Sequence, residues 1–217
     1  MASPTLAQLR TQVRRDIRDP STVTFEDATV TDFINAAIAE ISRICPKQAV
    51  QAIPYVADTF EYACTLSEVH RVEIWNTLAT PDEFFFIVPP AADNDLNSSV
   101  AGWELWAGIL RLPNFWLAGL VPSTHTFRAW GWAGYAQLAN DAQVADFDDS
   151  ELTWAVREYA TLRAFEYLMS DRSLFEQWAT QANNTDVSPA ALANMLGLWQ
   201  SKWEKRRQQL RTIRTLP

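Results

Sequence analysis

Two histidines (His70, His125), two cysteines (Cys45, Cys64) and one loop rich in side-chain oxygens are the groups of this 217-residue chain that could do chemistry. Asp93, Asp95, Asn97 and Glu104 fall at positions 1, 3, 5 and 12 of a calcium-loop spacing, with apolar Val100 at position 8. Ser98 stands where that loop needs a glycine, and the flanks read as strands rather than helices, so the segment reads as a solvated polar turn. Neither cysteine belongs to a CxxC or CxxH pair, and both read as reduced, partly buried thiols of a protein folded in a cytoplasm. The histidines have no serine elbow or cysteine nucleophile near them in sequence and read as half-buried side chains. There is no P-loop and no GxGxxG, and six glycines leave little material for a phosphate cradle. The expectation is a protein that is not an enzyme, with no metal and no cofactor.

The elements that would carry these residues change character twice. From 1 to 46 the chain reads as two helices. Thr5 and Gln8 have capping-box spacing ahead of Leu6, Leu9, Val13 and Ile17, and Asp19-Pro20 ends the first helix. A second apolar stripe runs through Val30, Phe33, Ile34, Ala37, Ile38, Ile41 and Ile44. Arg10, Arg14 and Arg18 lie four apart, which predicts one charged face on the first helix, solvated or paired across subunits or along a channel.

From 47 to 147 the period is two. Strands are expected at 51–56, 60–66, around Val72 and Ile74, and at 83–88, 104–112 and 125–132, separated by turn signals, as in a small antiparallel sandwich or barrel. Helix returns after Asp148-Asp149-Ser150, with a shorter helix from Asp171 and a last one started by Ser188-Pro189. In that last helix Leu192, Leu196, Trp199, Trp203, Arg206, Leu210 and Ile213 form a heptad-like seam that requires a partner helix. The predicted fold class is α+β: a helical core built from residues 1–46 and 148–217, with an inserted β domain at 47–147.

Charge and aromatics follow the same division. Eighteen basic against 26 acidic residues give a net charge of −8, which argues against a general duplex-DNA binder. The segment 46–147 carries four basic and eleven acidic residues, whereas Lys202, Lys205, Arg206, Arg207, Arg211 and Arg214 against Glu204 make the C-terminus a basic arm. Ten tryptophans are an excess that implies large aromatic contact surfaces or burial against neighbouring subunits. A second reading puts the tryptophan-rich sheet to work as a carbohydrate- or protein-binding module. The opening residues carry no apolar core of a secretory signal, and 103–122 is too interrupted for a membrane span, so no membrane partner is expected.

Taken together, the stretches Thr5–Asp19 and Phe25–Ile41, the latter with its Ile34-Asn35-Ala36-Ala37 core, and the helical C-terminal third resemble the head-to-tail adaptor (head-completion or connector) proteins of tailed bacteriophages. The resemblance implies a homo-oligomeric ring, usually of twelve subunits, in the virion neck, assembled in the host cytoplasm beneath the portal protein and meeting tail or nozzle proteins. Packaged DNA would pass through it without sequence-specific binding. It also implies a C-terminal segment that reaches the portal. Mapped here, the candidate contacts are Trp199, Lys202, Trp203, Lys205, Arg206, Arg207, Leu210, Arg211 and Arg214, with the basic arm docking on an acidic portal surface.

Overall fold

The structure is a computed structural model and describes residues 3–20, 22–91, 102–113, 117–122, 124–147, 150–181, 184–185 and 187–215. The chain divides into two compact units: a helical unit made of Met1–Pro46 with Tyr135–Pro217, and a β unit, Lys47–Gly134. The architecture is α+β, with antiparallel sheets inserted between helices. The β unit ends at Gly134, short of residue 147. Residues 135–147 instead lie along the helical core, because Tyr135, Leu138, Ala145 and Phe147 all pack into it.

The helical unit contains α1 (Leu6–Asp16), α2 (Asp27–Ile44), α3 (Ser150–Ser170), α4 (Arg172–Ala179) and α5 (Pro189–Thr215). Helix α1 starts on the expected capping box: the Gln8 amide donates to Thr5 Oγ1 at 3.3 Å, and the Thr5 amide donates to Gln8 Oε1 at 2.9 Å. It ends in a Schellman turn. The Asp19 amide donates back to the Arg14 carbonyl at 3.0 Å, and Arg18 takes the left-handed conformation (φ 55°) that glycine usually fills there. Asp171 caps α4 through the amides of Ser173 and Leu174, and Ser188 caps α5 through the Ala191 amide at 3.1 Å. The apolar stripes of α1 and α2 and the buried face of α3 close on one core, which also holds Trp178 and Leu192, Trp203 and Leu210 of α5.

The returning segment is fastened by the asparagine inside the Ile-Asn-Ala-Ala motif. Asn35 Nδ2 donates to the Leu138 carbonyl at 3.0 Å, and its Oδ1 accepts from the Leu138 amide at 2.8 Å, satisfying a stretch of backbone that belongs to no sheet.

The β unit has two sheets. The first is ordered β1 (Lys47–Pro54), β7 (His125–Ala133), β3 (Glu68–Asn76), β4 (Glu83–Val88), and the second β2 (Glu61–Ala63), β6 (Ile109–Arg111), β5 (Glu104–Trp106); all pairings are antiparallel. Entering strand β1 pairs with leaving strand β7, so the insertion begins and ends on neighbouring strands. Phe127, Val72, Ile74 and Val88 of the first sheet share one core with Tyr62 and Leu110 of the second, and the Tyr62 and Phe127 rings meet edge to face at 5.1 Å.

The single strand expected at 104–112 is two. Ala107 (φ 49°) and Gly108 (φ 78°) are both left-handed and make the two-residue turn of a β5–β6 hairpin, with Trp106 opposite Ile109. Gly131, between Trp130 and Trp132, is required by close approach: a β-carbon there would lie 1.9 Å from the Glu68 carbonyl oxygen, where β3 bulges against β7. Because left-handed backbone is costly for alanine, Ala107→Gly is expected to raise unfolding stability by about 0.5–1 kcal/mol, read from the denaturant midpoint at unchanged slope.

Candidate functional site

The sequence nominated α5 as the docking element, and its side chains divide into an inner and an outer set. Inside, Trp203 is buried with its ring 4.7 Å from Tyr159 of α3, edge to face, and Leu192 and Leu210 are buried in the same seam. Trp199 packs partly buried on this core, 6.4 Å from Phe165. The one charged member of the heptad, Arg206, is satisfied within the subunit. Its Nε donates to Glu158 at 3.2 Å, and its guanidinium also pairs with Glu151 at the start of α3. Burial pushes the Glu158 carboxyl above its ordinary range, opposed by Lys202 and Arg157.

Trp203, Leu210 and Arg206 thus lie along the α3–α5 interface, because a helix with one apolar stripe must bury it somewhere. The outer set is Lys202, Lys205 and Arg211, all exposed, with Arg207 partly exposed beside Glu204 at 3.4 Å. Lys202 Nζ rests 4.0 Å from the centre of the Trp199 ring, a cation–π contact that fixes where its charge is presented. The side chain of Arg214 lies outside the described residues. What the helix offers to solvent is a set of cations spread around the side away from and flanking its buried seam.

The arginines of α1 do not form an outward face. Arg14 is buried: it donates to Asp19 Oδ2 at 3.2 Å, to the Phe25 carbonyl at 2.9 Å and to Asp27 Oδ1 at 2.7 Å. Arg10 pairs with Asp27 at 3.1 Å and with Asp141. Arg18 leaves the face altogether, since its left-handed backbone lies beyond the end of the helix. The charges of Arg10 and Arg14 are thus met by carboxylates of the same chain.

Sequence spacing missed the residue at the centre of this cluster. Asp19, fully buried, accepts from the amides of Val23 and Thr24 at 3.2 Å and of Phe25 at 3.0 Å, as well as from Arg14 and Gln181. Its signal was available, since an Asp before Pro at a helix end is suited to hydrogen-bonding the backbone of the following turn.

Of the other candidates, Asp93, Asp95 and Asn97 lie outside the described residues, and Glu104 opens β5 exposed, in register with Arg111. No group of three or more possible metal ligands occurs among the described residues. His125 Nδ1 accepts from the Val121 amide at 3.0 Å, His70 is exposed with its ring against Trp132, and both cysteines are buried thiols outside any disulfide. Among the described residues, no helix is long and apolar enough to cross a membrane.

The SU10 adaptor protein family matches residues 4–211, a span that takes in both units. The chain belongs to the SU10 adaptor protein family. The resemblance to bacteriophage adaptors carried by the two helical ends thus extends across the β unit, where no motif announced it. Among curated proteins, none matches the chain. Among solved structures, a chain from the neck of an empty GTA particle computed with C6 symmetry matches at 15% identity over 92% of each chain, with a TM-score of 0.31.

Two predictions test how this adaptor holds its shape. Asp19→Ala removes the acceptor of five donors and leaves Arg14 poorly paired, and is expected to cost about 3–5 kcal/mol in denaturant unfolding. The Arg14 hydrogen bond to Asp27, backed by Arg10, holds the Asp27 carboxyl below its ordinary value. A depressed carboxyl pKa stabilises the fold at pH above the unfolded value and loses that contribution as pH falls through the folded one. Asp27→Asn should therefore flatten the acid limb of the stability–pH curve between neutrality and the lower carboxylate range, measured by thermal melting across that interval.

Proposed function

We propose that this adaptor is a structural, non-enzymatic subunit of the bacteriophage virion neck, one copy of a ring that joins the portal to the tail or nozzle. The single observation that carries this reading is the adaptor-family match over residues 4–211. The ring is dodecameric, and packaged DNA passes through it without base-specific contacts. A net charge of −8 suits that passage, because an acidic wall repels phosphate at short range.

Within this reading the outer cations of α5 meet an acidic surface of the portal. Lys205 and Arg211 are exposed and stand clear of the α3–α5 seam, so they can be changed without disturbing the core. Double reversal, Lys205→Glu with Arg211→Glu, is expected to weaken attachment to portal-bearing heads by roughly tenfold or more, with the wild-type attachment itself falling as salt rises. Sedimentation of the purified full chain with portal-bearing heads, with negative-stain imaging of the neck, measures both. Unchanged attachment of the double variant would remove α5 from the portal contact; a wild-type chain that never joins heads or forms rings would remove the neck role.

A further inference from the structure

The β unit leaves apolar side chains exposed on two opposite faces. On the outer face of the first sheet, Val50 (44% exposed) stands opposite Trp130 (42%), and two rows along the strands Trp75 stands opposite Phe84 (45%), with Ile87 (48%) between them. On the outer face of the second sheet, Trp106 (75%) and its cross-strand partner Ile109 (42%) sit at the tip of the β5–β6 hairpin. The faces are opposite because the residues that alternate with them, Ile74, Val88 and Phe127 in one sheet and Leu110 in the other, point into the shared core.

The first face does not owe its exposure to looseness. Glu73, itself buried, accepts from Trp75 Nε1 at 2.8 Å and from Trp130 Nε1 at 2.9 Å and pairs with Arg71, while the Arg128 guanidinium lies 4.1 Å from the Trp75 ring centre and pairs with Asp82. Both indole N–H groups are thus already satisfied, and what the rings present outward is apolar and rigid. Trp and Arg held in this way are the residue types that dominate protein interfaces. With aromatic side chains of roughly 150–250 Å², the first face exposes on the order of 300–400 Å² of apolar surface, enough to mark an interaction site and about half of one side of a standard interface.

Two unlike patches on opposite sides of one module are the requirement for a head-to-tail contact, in which the patch on one subunit meets the other patch on the next. A two-fold contact would need only one self-complementary patch. The rims differ as well: Glu61 and Glu104 both stand in register with the single Arg111 beside the hairpin, leaving a net negative rim, whereas on the first face Arg71 is paired with Glu73 and Arg128 with Asp82, so that face is balanced. We propose that adjacent copies of this chain join through their β units, the Trp106–Ile109 hairpin of one seated on the Val50–Trp130–Ile87 face of the next. This rests on the ring reading and names the surface that closes the ring.

The test uses the full chain carrying Trp106→Glu or Val50→Glu, both exposed positions, with circular dichroism and melting confirming the fold. Each variant alone is expected to lose ring assembly at least tenfold, in solution or on portal-bearing heads. Mixed together, they should form dimers and no rings, because each retains the patch that the other lacks. If either folded variant assembles like the wild type, the proposed contact is wrong while the ring stands; binding of a glycan or tail protein to the Trp130 face with rings unaffected likewise overturns the contact. If both variants misfold, a disulfide between copies carrying Ile109→Cys and Val50→Cys decides: bonded ladders support the contact, and their absence in assembled rings overturns it. A wild-type chain that forms no ring under any of these conditions defeats the ring reading itself.

Discussion

The helical unit depends on one buried ion pair. Arg14 and Asp19 belong to the end of α1 and the turn after it, yet between them they bind the Phe25 carbonyl, the amides of 23–25, Asp27 at the start of α2, and Gln181 beyond α4. A charge removed from water must be compensated by hydrogen bonds at nearly every lone pair and proton, and here the compensating groups are the backbone of the turn itself. The pair therefore sets the path from α1 into α2. The same turn is held from the other side by Trp178, whose Nε1 donates to the Ile17 carbonyl at 2.7 Å, and by buried Asn184, whose amide reaches the carbonyls of Arg18 and Trp178. Residues more than 150 positions apart in sequence thus close the unit, and the insertion between them does not interrupt its core.

Much of this was legible in the sequence where the physics is local. The capping box at Thr5, the proline-marked end of α1, the Asp171 and Ser188 caps and the heptad of α5 are all short-range patterns, and each forms the element it announces. Side-chain partners were not legible, because spacing along a helix fixes a face but not what the face meets. Arg10, Arg14 and Arg18 have the spacing of an exposed charged stripe, but the first two meet Asp19, Asp27 and Asp141 and the third is turned away by a left-handed residue. The β5–β6 hairpin was hidden for a related reason: Ala-Gly supplies the two left-handed residues that Asn-Gly usually signals, and the flanking strands are only three residues each.

The same distinction sharpens the candidate site. A basic arm read from composition counted six cations between Lys202 and Arg214 as one surface. In three dimensions the seam takes Arg206 for Glu151 and Glu158, Lys202 is anchored on Trp199, and Arg207 lies beside Glu204, so the charge free to meet a partner is carried by fewer side chains at defined positions. Fewer, fixed cations favour specificity over strength, since a charge already positioned by packing loses little freedom when it pairs.

The tryptophan excess resolves in a similar way. In the helical unit, Trp178 and Trp203 are core, and Trp199 is partly core. In the β unit, Trp75 and Trp130 share one buried carboxylate, Glu73, so their polar edges point inward and their apolar faces outward. A sugar-binding platform needs polar groups that remain free to converge on the ligand, and here the carboxylate and both indole N–H groups nearest the rings are already committed to one another. The surface that results is apolar, rigid and aromatic, which is poorly matched to a polyhydroxylated ligand and well matched to another protein face.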